Sequence, residues 1–243
     1  MWPHSLVIGV GEVAVCVGTD DAGLAAHLQP WAVDEPAGLV DYALTLHPPE
    51  RPRGEPRELP SLRHGTDVLA RTQDTDLLRD GLLRTLAALA PSPAGTVRLS
   101  GVPLLRDGAV HLAPPELAAV LPSRWLAQHG FTPVWVQSVA VNPATLQVHI
   151  AAPLGSDDQP LVAPLHDWWI TVHDPTVELT FAQWLTHAAP RLGPVADAAA
   201  GTAAMEVLME LLHRLPALPV SAARGDLQAA LIGGPSTFRR QAR

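Results

Sequence analysis

The sequence VRLSGVPLLRDGAVHL, residues 97–112, predicts the strands from which the larger part of the chain is built. It contains three short apolar runs of strand length, and Asp107-Gly108 stands between the last two. The pair Asp-Gly favours a two-residue hairpin turn because both turn positions adopt positive φ, which few other residues tolerate. The stretch therefore predicts strands at residues 97–99, 102–105 and 109–112, the last two joined as a hairpin.

The amino-terminal residues predict a smaller α+β lobe. Residues 5–18, SLVIGVGEVAVCVG, are rich in valine and broken by glycine, which predicts two strands that meet at a turn. Two aspartates then offer an N-cap for a short helix that ends near His27, and residues 39–47 predict another strand. In residues 74–90 leucines recur at spacings of three and four, which predicts a core-facing helix.

Two proline-rich segments interrupt this region. Residues 48–60, PPERPRGEPRELP, predict an exposed loop because proline lacks a backbone donor and fixes φ. Residues 91–95, PSPAG, end the preceding helix and are the best candidate for a boundary between lobes. We therefore predict an N-terminal α+β lobe at residues 1–93 and a larger core at residues 94–243.

The residues beyond this stretch continue the alternation of strands and helices. Thr180 and Gln183 form the sequence of a capping box, and Gly130 can end a short helix in the left-handed conformation. The other predicted elements are short helices opened by Pro114-Pro115 and by Ser123, strands at residues 134–141, 146–151, 168–172 and 218–220, and helices at residues 195–215 and 226–231. The predicted fold class is α/β, a mixed sheet with flanking helices.

Composition excludes several classes of function. All 16 basic residues are arginine, against 24 acidic residues and a net charge of -8. Without lysine the chain has no Schiff-base former and no ammonium group for a phosphate-binding loop. No stretch carries a basic stripe, so we expect no binding to nucleic acid.

The same composition bears on localisation. No apolar run approaches the roughly 20 residues of a membrane span, and no cationic segment typical of a signal peptide precedes the first apolar run. The single cysteine, Cys16, cannot form an intrachain disulfide, which fits a reducing compartment. We expect a cytoplasmic protein that does not bind a membrane.

The order of elements resembles a known family. Residues 97–112, followed by a helix that ends near Gly130 and a strand at residues 134–136, resemble the core of HPr kinase/phosphorylase-like domains, including stand-alone bacterial versions. Residues 209–231, MELLHRLPALPVSAARGDLQAAL, resemble the closing helix, strand and last helix of that family. The resemblance implies an HPr kinase-like core preceded by the less regular leader of the stand-alone members.

The residues that handle phosphate in that family are missing here. A phosphate-binding loop needs glycines with free backbone N–H groups, a lysine, and a hydroxyl that reaches Mg²⁺. Residues 113–121 instead read APPELAAVL, in which Pro114 and Pro115 have no N–H to donate and Glu116 would repel an anion. We therefore expect no bound cofactor and no kinase activity.

Six residues are candidates for binding. Gln137 and Ser138 occupy the position at which the resemblance implies acidic metal ligands, and neither offers a carboxylate. His166-Asp167 could join His173-Asp174 in a metal site, but side chains alternate along a strand, so residues seven apart point to opposite faces. The binding candidates are Trp135, Gln137, Ser138, His149, His166 and Asp167, and we predict no catalytic, cofactor or metal role for them.

The sequence leaves three functions open. The favoured one is a non-catalytic HPr kinase-like protein that acts as a binding, accessory or regulatory partner of another protein or a peptide. The first alternative is an enzyme of another class, a hydrolase or transferase, with His, Asp and Ser side chains brought together in a pocket. The second is a structural homodimer module.

Overall fold

The chain forms two compact units, each with its own mixed sheet. The computed structural model describes residues 2–36, 38–48, 58–118, 121–175, 177–193, 198–215, 218–221 and 224–233. The first unit comprises Met1–Pro91 and Ala151–Pro160, and the second comprises Ser92–Ile150 and Leu161–Arg243. Helices pack against the sheet in both units, so the predicted α/β fold class is confirmed.

The first unit is built on a five-stranded sheet. Its strands are β1 His4–Val10, β2 Val13–Thr19, β3 Tyr42–Thr45, β4 Ser61–His64 and β5 Asp67–Arg71. They lie in sequence order across the sheet. β2 and β3 are parallel, and every other neighbouring pair is antiparallel.

Two α-helices cover this sheet. α1, Ala22–Leu28, packs against β1 and β2, and α2, Thr75–Ala87, packs against β3 and β4. The helices begin at Asp21 and Asp74, whose side chains accept hydrogen bonds from backbone N–H groups of the first turn. Arg79 Nε of α2 donates to Asp21 at 2.7 Å, so one ion pair joins the two helices. A short 3-10 helix, Gln29–Trp31, follows α1.

The segment Ala151–Pro160 returns the chain to the first unit between the two parts of the second unit. Leu154 N donates to the carbonyl of Leu83 at 3.1 Å, and Arg84 Nη1 donates to the carbonyl of Ala151 at 2.9 Å. Gly155 lies against Trp31 so closely that a β-carbon there would come within 2.5 Å of the indole. The segment is therefore a packed part of the first unit.

The second unit is built on an eight-stranded sheet. Its strands are β6 Val97–Ser100, β7 Val102–Arg106, β8 Ala109–Ala113, β9 Thr132–Pro133, β10 Ser138–Asn142, β11 Gln147–Ile150, β12 Leu161–Thr171 and β13 Leu218–Val220. The order is β6-β10-β11-β12-β8-β7-β9, and β13 pairs with β12 outside this path. β12 runs parallel to β8 and β13, whereas the remaining pairs are antiparallel.

Five α-helices belong to the second unit among the residues described. They are α3 Pro115–Ala118, α4 Ser123–Gln128, α5 Phe181–Ala188, α6 Ala198–Arg214 and α7 Arg224–Gly233, with a 3-10 helix at Ala189–Arg191. Thr180 and Gln183 form the predicted capping box at the start of α5, and Gly130 follows α4 with φ +76°. None of the helices in the described parts of the chain has the length and apolar character that a bilayer crossing requires.

Several element boundaries differ from those predicted. β4 and β5 were not predicted, because residues 61–71 mix charged and apolar side chains without regular alternation. The strand predicted at residues 134–141 begins at Ser138, and the strand predicted at residues 168–172 begins seven residues earlier, at Leu161. Residues 49–57 of the predicted loop, the start of the predicted helix at residue 195 and the tail from residue 234 lie outside the described residues.

The β7–β8 turn confirms the hairpin predicted from Asp-Gly. Asp107 has φ 51° and Gly108 has φ 75°, so both turn residues adopt the left-handed conformation that a two-residue hairpin requires. A β-carbon added at Gly108 would meet no atom within 4 Å. Any cost of a side chain at this position is therefore a backbone cost.

We expect Gly108→Ala to lower the free energy of unfolding by about 1–2 kcal/mol, the cost of placing an L-residue in the left-handed region. Gly38→Ala is the matched control, because its β-carbon also meets nothing within 4 Å and its φ lies outside the left-handed range. The control should be neutral or slightly stabilising. Urea unfolding midpoints of the two variants and the wild type measure the difference, and equal midpoints would contradict the explanation.

Candidate functional site

A buried carboxylate in the second unit contacts two histidine side chains. Asp167 of β12 is 5% exposed, and its Oδ2 is 2.7 Å from Nδ1 of His111 and 3.1 Å from Nδ1 of His166. One potential ligand atom from each of the three residues lies within 4.8 Å of the others. We call these three residues the His–Asp–His cluster.

A β-bulge brings these side chains together. Leu165 of β12 pairs with Val110 of β8, but the next pair joins Asp167 to His111, so His166 is an extra residue opposite the partner strand. In a regular strand His166 and Asp167 would point to opposite faces. An extra residue re-aims the side chains beside it, so both can contact the same imidazole.

The environments of the two histidines differ. The side chain of His111 is 12% exposed and its ring packs edge-on against Phe131, with ring centroids 5.5 Å apart. The side chain of His166 is 57% exposed, and its ring lies 4.9 Å from that of His111. The cluster therefore has a buried floor, formed by Asp167 and His111, and one side that reaches solvent.

The carboxyl group of Asp167 is ionised at neutral pH. Burial raises its pKa, but hydrogen bonds from His111 and His166 and their electrostatic attraction lower it by more, so the net pKa is below the ordinary value. An ionised carboxylate only accepts hydrogen bonds, so Nδ1 of His111 donates to it. This hydrogen bond orients the ring of His111.

The chemistry available to such a cluster is limited. An imidazole oriented by a carboxylate can act as a general base, and two imidazoles with one carboxylate can bind a divalent metal ion. Sequence reasoning found His166 and Asp167 but missed His111. The alternation of His111 with buried Val110 and Leu112 indicated only which face of β8 it occupies.

A second polar feature lies at the carboxyl ends of β8 and β12. Glu116, in the first turn of α3, accepts from Arg191 Nη1 at 2.9 Å and from Arg191 Nη2 at 2.5 Å. Thr171 Oγ1, at the end of β12, donates to the same carboxylate at 2.6 Å. We call these three residues the Glu116 cluster.

The Glu116 carboxylate is held in its charged form. Partial burial raises its pKa, but hydrogen bonds from Arg191 and Thr171 and the attraction of the guanidinium lower it by more. In open α/β sheets the edge at the carboxyl ends of parallel strands is the usual place for ligands. Here that edge carries the carboxylate of Glu116, which already accepts hydrogen bonds from Arg191 and Thr171.

The other predicted binding residues do not join either cluster. Trp135 is 4% exposed and its indole N–H is buried without a hydrogen-bond partner among the residues described. Gln137 precedes β10, and its carbonyl accepts from Gly101 N and Ser100 Oγ. Ser138 pairs with β6, and His149 pairs with Ala140 and Val162. Trp135 and Gln137 thus lie outside the strand that was predicted to contain them.

Comparison with known proteins gives no relative. No family model, no curated protein and no solved structure matches the chain. The resemblance to HPr kinase-like domains therefore stays a prediction.

We expect Glu116→Gln to lower the free energy of unfolding by about 0.5–1 kcal/mol at neutral pH, a modest value because solvent screens a pair this exposed. The side chain of Glu116 is 43% exposed. Because its folded pKa lies below its unfolded pKa, the ionic stabilisation is present above the unfolded value of about 4.3 and is lost as pH falls through the folded value. The wild-type and variant stabilities should therefore converge in acid.

Urea unfolding midpoints from about pH 7 down to about pH 3 test this convergence. Glu210→Gln is the matched control, since it removes a surface ion pair with Arg214 one helical turn away. Its effect should be at most about 0.5 kcal/mol. A gap between wild type and Glu116→Gln that stays constant over the pH range would contradict the expectation.

Proposed function

We propose that this chain is a non-catalytic HPr kinase-like protein that acts as a binding or accessory partner of another protein. The observation that carries the proposal is the Glu116 cluster. Glu116 lies just after the strand that would precede a phosphate-binding loop, and its carboxylate is held there by Arg191 and Thr171. The carboxylate of Glu116 thus occupies the hydrogen-bond donors that a bound anion would need.

The backbone at this place supports the same conclusion. Phosphate loops bind through exposed N–H groups, and Pro114 and Pro115 have none. A phosphate at this place would have to compete with the Glu116 carboxylate for Arg191, which is already hydrogen-bonded to both carboxylate oxygens.

The position of the expected metal ligands agrees with this function. Gln137 and Ser138 stand where the resemblance implies carboxylates, and Gln137 uses its carbonyl to hold Gly101 and Ser100. Neither side chain offers the charged oxygen that Mg²⁺ prefers. Both halves of a nucleotide site, the phosphate cradle and the metal ligands, are therefore replaced in this chain.

We expect neither the wild type nor Glu116→Gln to bind ATP with Mg²⁺ more tightly than about 1 mM, because removing the carboxylate does not restore the missing N–H donors. Isothermal titration of both proteins with ATP and Mg²⁺ measures this. Micromolar binding by the wild type would overturn the proposal. Micromolar binding by Glu116→Gln alone would show that Glu116, and not the backbone, closes the site.

The accessory role is tested with the products of the genes that flank this one. Each is mixed with the full-length chain, and size-exclusion chromatography with light scattering gives the mass of any complex. A stoichiometric complex with one of them supports the proposal. A concentration-independent homodimer that binds none of them would favour the structural homodimer module instead.

A second candidate, an enzyme of another class, is favoured by one observation. His166 and Asp167 lie together with a third residue, His111, in the His–Asp–His cluster. His149, another of the binding candidates, pairs within the sheet on the adjacent strand β11 and lies outside the cluster. We place this candidate second because no serine or cysteine belongs to the cluster.

A further inference from the structure

We infer that the His–Asp–His cluster of His111, His166 and Asp167 is a site for one divalent metal ion of the zinc class, with at least one coordination position open to solvent. The inference goes beyond the accessory role proposed above and does not depend on it. It rests on the spacing of the three side chains, on the bulge that creates it, and on the exposure of one member.

The spacing is close to that of a zinc site. A tetrahedral ion with bonds of about 2.0–2.1 Å has its ligand atoms about 3.3–3.4 Å apart. Asp167 Oδ2 is 2.7 Å from Nδ1 of His111 and 3.1 Å from Nδ1 of His166. The two distances to Asp167 would have to increase by about 0.2–0.7 Å to admit the ion. The ligand atoms of the two histidines lie within 4.8 Å of each other and would have to adopt the same spacing. Binding through Nδ1 of His111 would also release the proton that this atom donates to Asp167.

The backbone around the three side chains favours a preformed metal site. His111 and Asp167 are directly paired on neighbouring strands, so their separation is set by the sheet and not by flexible loops. The bulge at His166 interrupts the ladder between β8 and β12, and bulges of this kind occur where a side chain must be re-aimed. Buried Leu165 and Trp168 on either side of it fix its position.

The exposure of His166 argues against a purely structural role for the third member. Asp167 is buried, and its Oδ2 already accepts a hydrogen bond from His111. His166 adds no buried packing, because its side chain is 57% exposed. The bulge thus places an exposed imidazole beside a carboxylate that a buried imidazole already contacts, and a metal ion that all three residues share accounts for this arrangement.

The donor set selects the metal. Two imidazoles and one carboxylate suit Zn²⁺ and related transition metals, whereas Mg²⁺ and Ca²⁺ prefer oxygen ligands alone. Three protein ligands leave a fourth position for water, as in catalytic and ligand-binding zinc sites rather than closed structural ones. With the single negative charge of Asp167, the bound site would carry a net positive charge and favour small anionic ligands.

Metal titration of the full-length chain tests the inference. The protein is freed of metal with a chelator and titrated with Zn²⁺ by calorimetry, and Co²⁺ is added separately so that its visible absorption reports the coordination geometry. We expect one site tighter than the background binding of the other histidines, with the absorption of a four- or five-coordinate cobalt ion. His166→Gln should weaken this site at least about 100-fold, and Asp167→Asn should weaken it as much or more.

His149→Gln is the matched control, since His149 also projects from a strand of the same sheet, β11, but lies outside the cluster. Its Zn²⁺ affinity should match the wild type within about twofold. His166→Gln should fold normally, because its side chain is mostly exposed, so it decides the question even where Asp167→Asn does not fold. Titration of His166→Gln identical to that of the wild type, or an equal loss in His149→Gln, would overturn the inference.

Discussion

The pairing of β12 with its neighbours is the constraint on which the second unit depends. This single strand of 11 residues hydrogen-bonds with β11 along its first part, with β8 along its middle and with β13 along its last part. Trp168, Trp169 and Ile170 within it are each at most 2% exposed. Hydrophobic burial of this extent holds the strand in one register, and the positions of its polar residues are fixed with it.

Both polar features of the unit follow from the contact between β8 and β12. The His–Asp–His cluster lies in the middle of the two strands, where the bulge interrupts their ladder. The Glu116 cluster lies where the same two strands end. One strand pair thus carries a group of side chains suited to a cation and, beyond it, a carboxylate that is already neutralised by arginine.

Local signals predicted local structure well. Asp107-Gly108 determines its hairpin through the positive φ of both residues, and the capping box at Thr180 depends only on residues three apart. The cluster could not be predicted in the same way, because His111 and Asp167 are 56 residues apart in sequence. Their meeting depends on which strands pair and on one bulge, and neither is encoded in the alternation of polar and apolar residues.

The boundaries that sequence reasoning missed have a similar cause. Residues around Trp135 are apolar enough to suggest a strand, but Trp135 and Val136 are buried outside the ladder that begins at Ser138. Burial and strand pairing are separate properties, and hydrophobicity reports only the first. The hairpin of β4 and β5 shows the converse, since its ladder forms from residues of mixed polarity.

The return of Ala151–Pro160 to the first unit has a consequence for how the protein is made. A ribosome that has released the first 91 residues has not yet synthesised the segment whose Leu154 N–H and Ala151 carbonyl bond to Leu83 and Arg84. The first unit can be completed only after some sixty further residues have been synthesised. The two units therefore cannot fold strictly one after the other during synthesis. A gene fragment that ends at Pro91 would encode a first unit without its last segment.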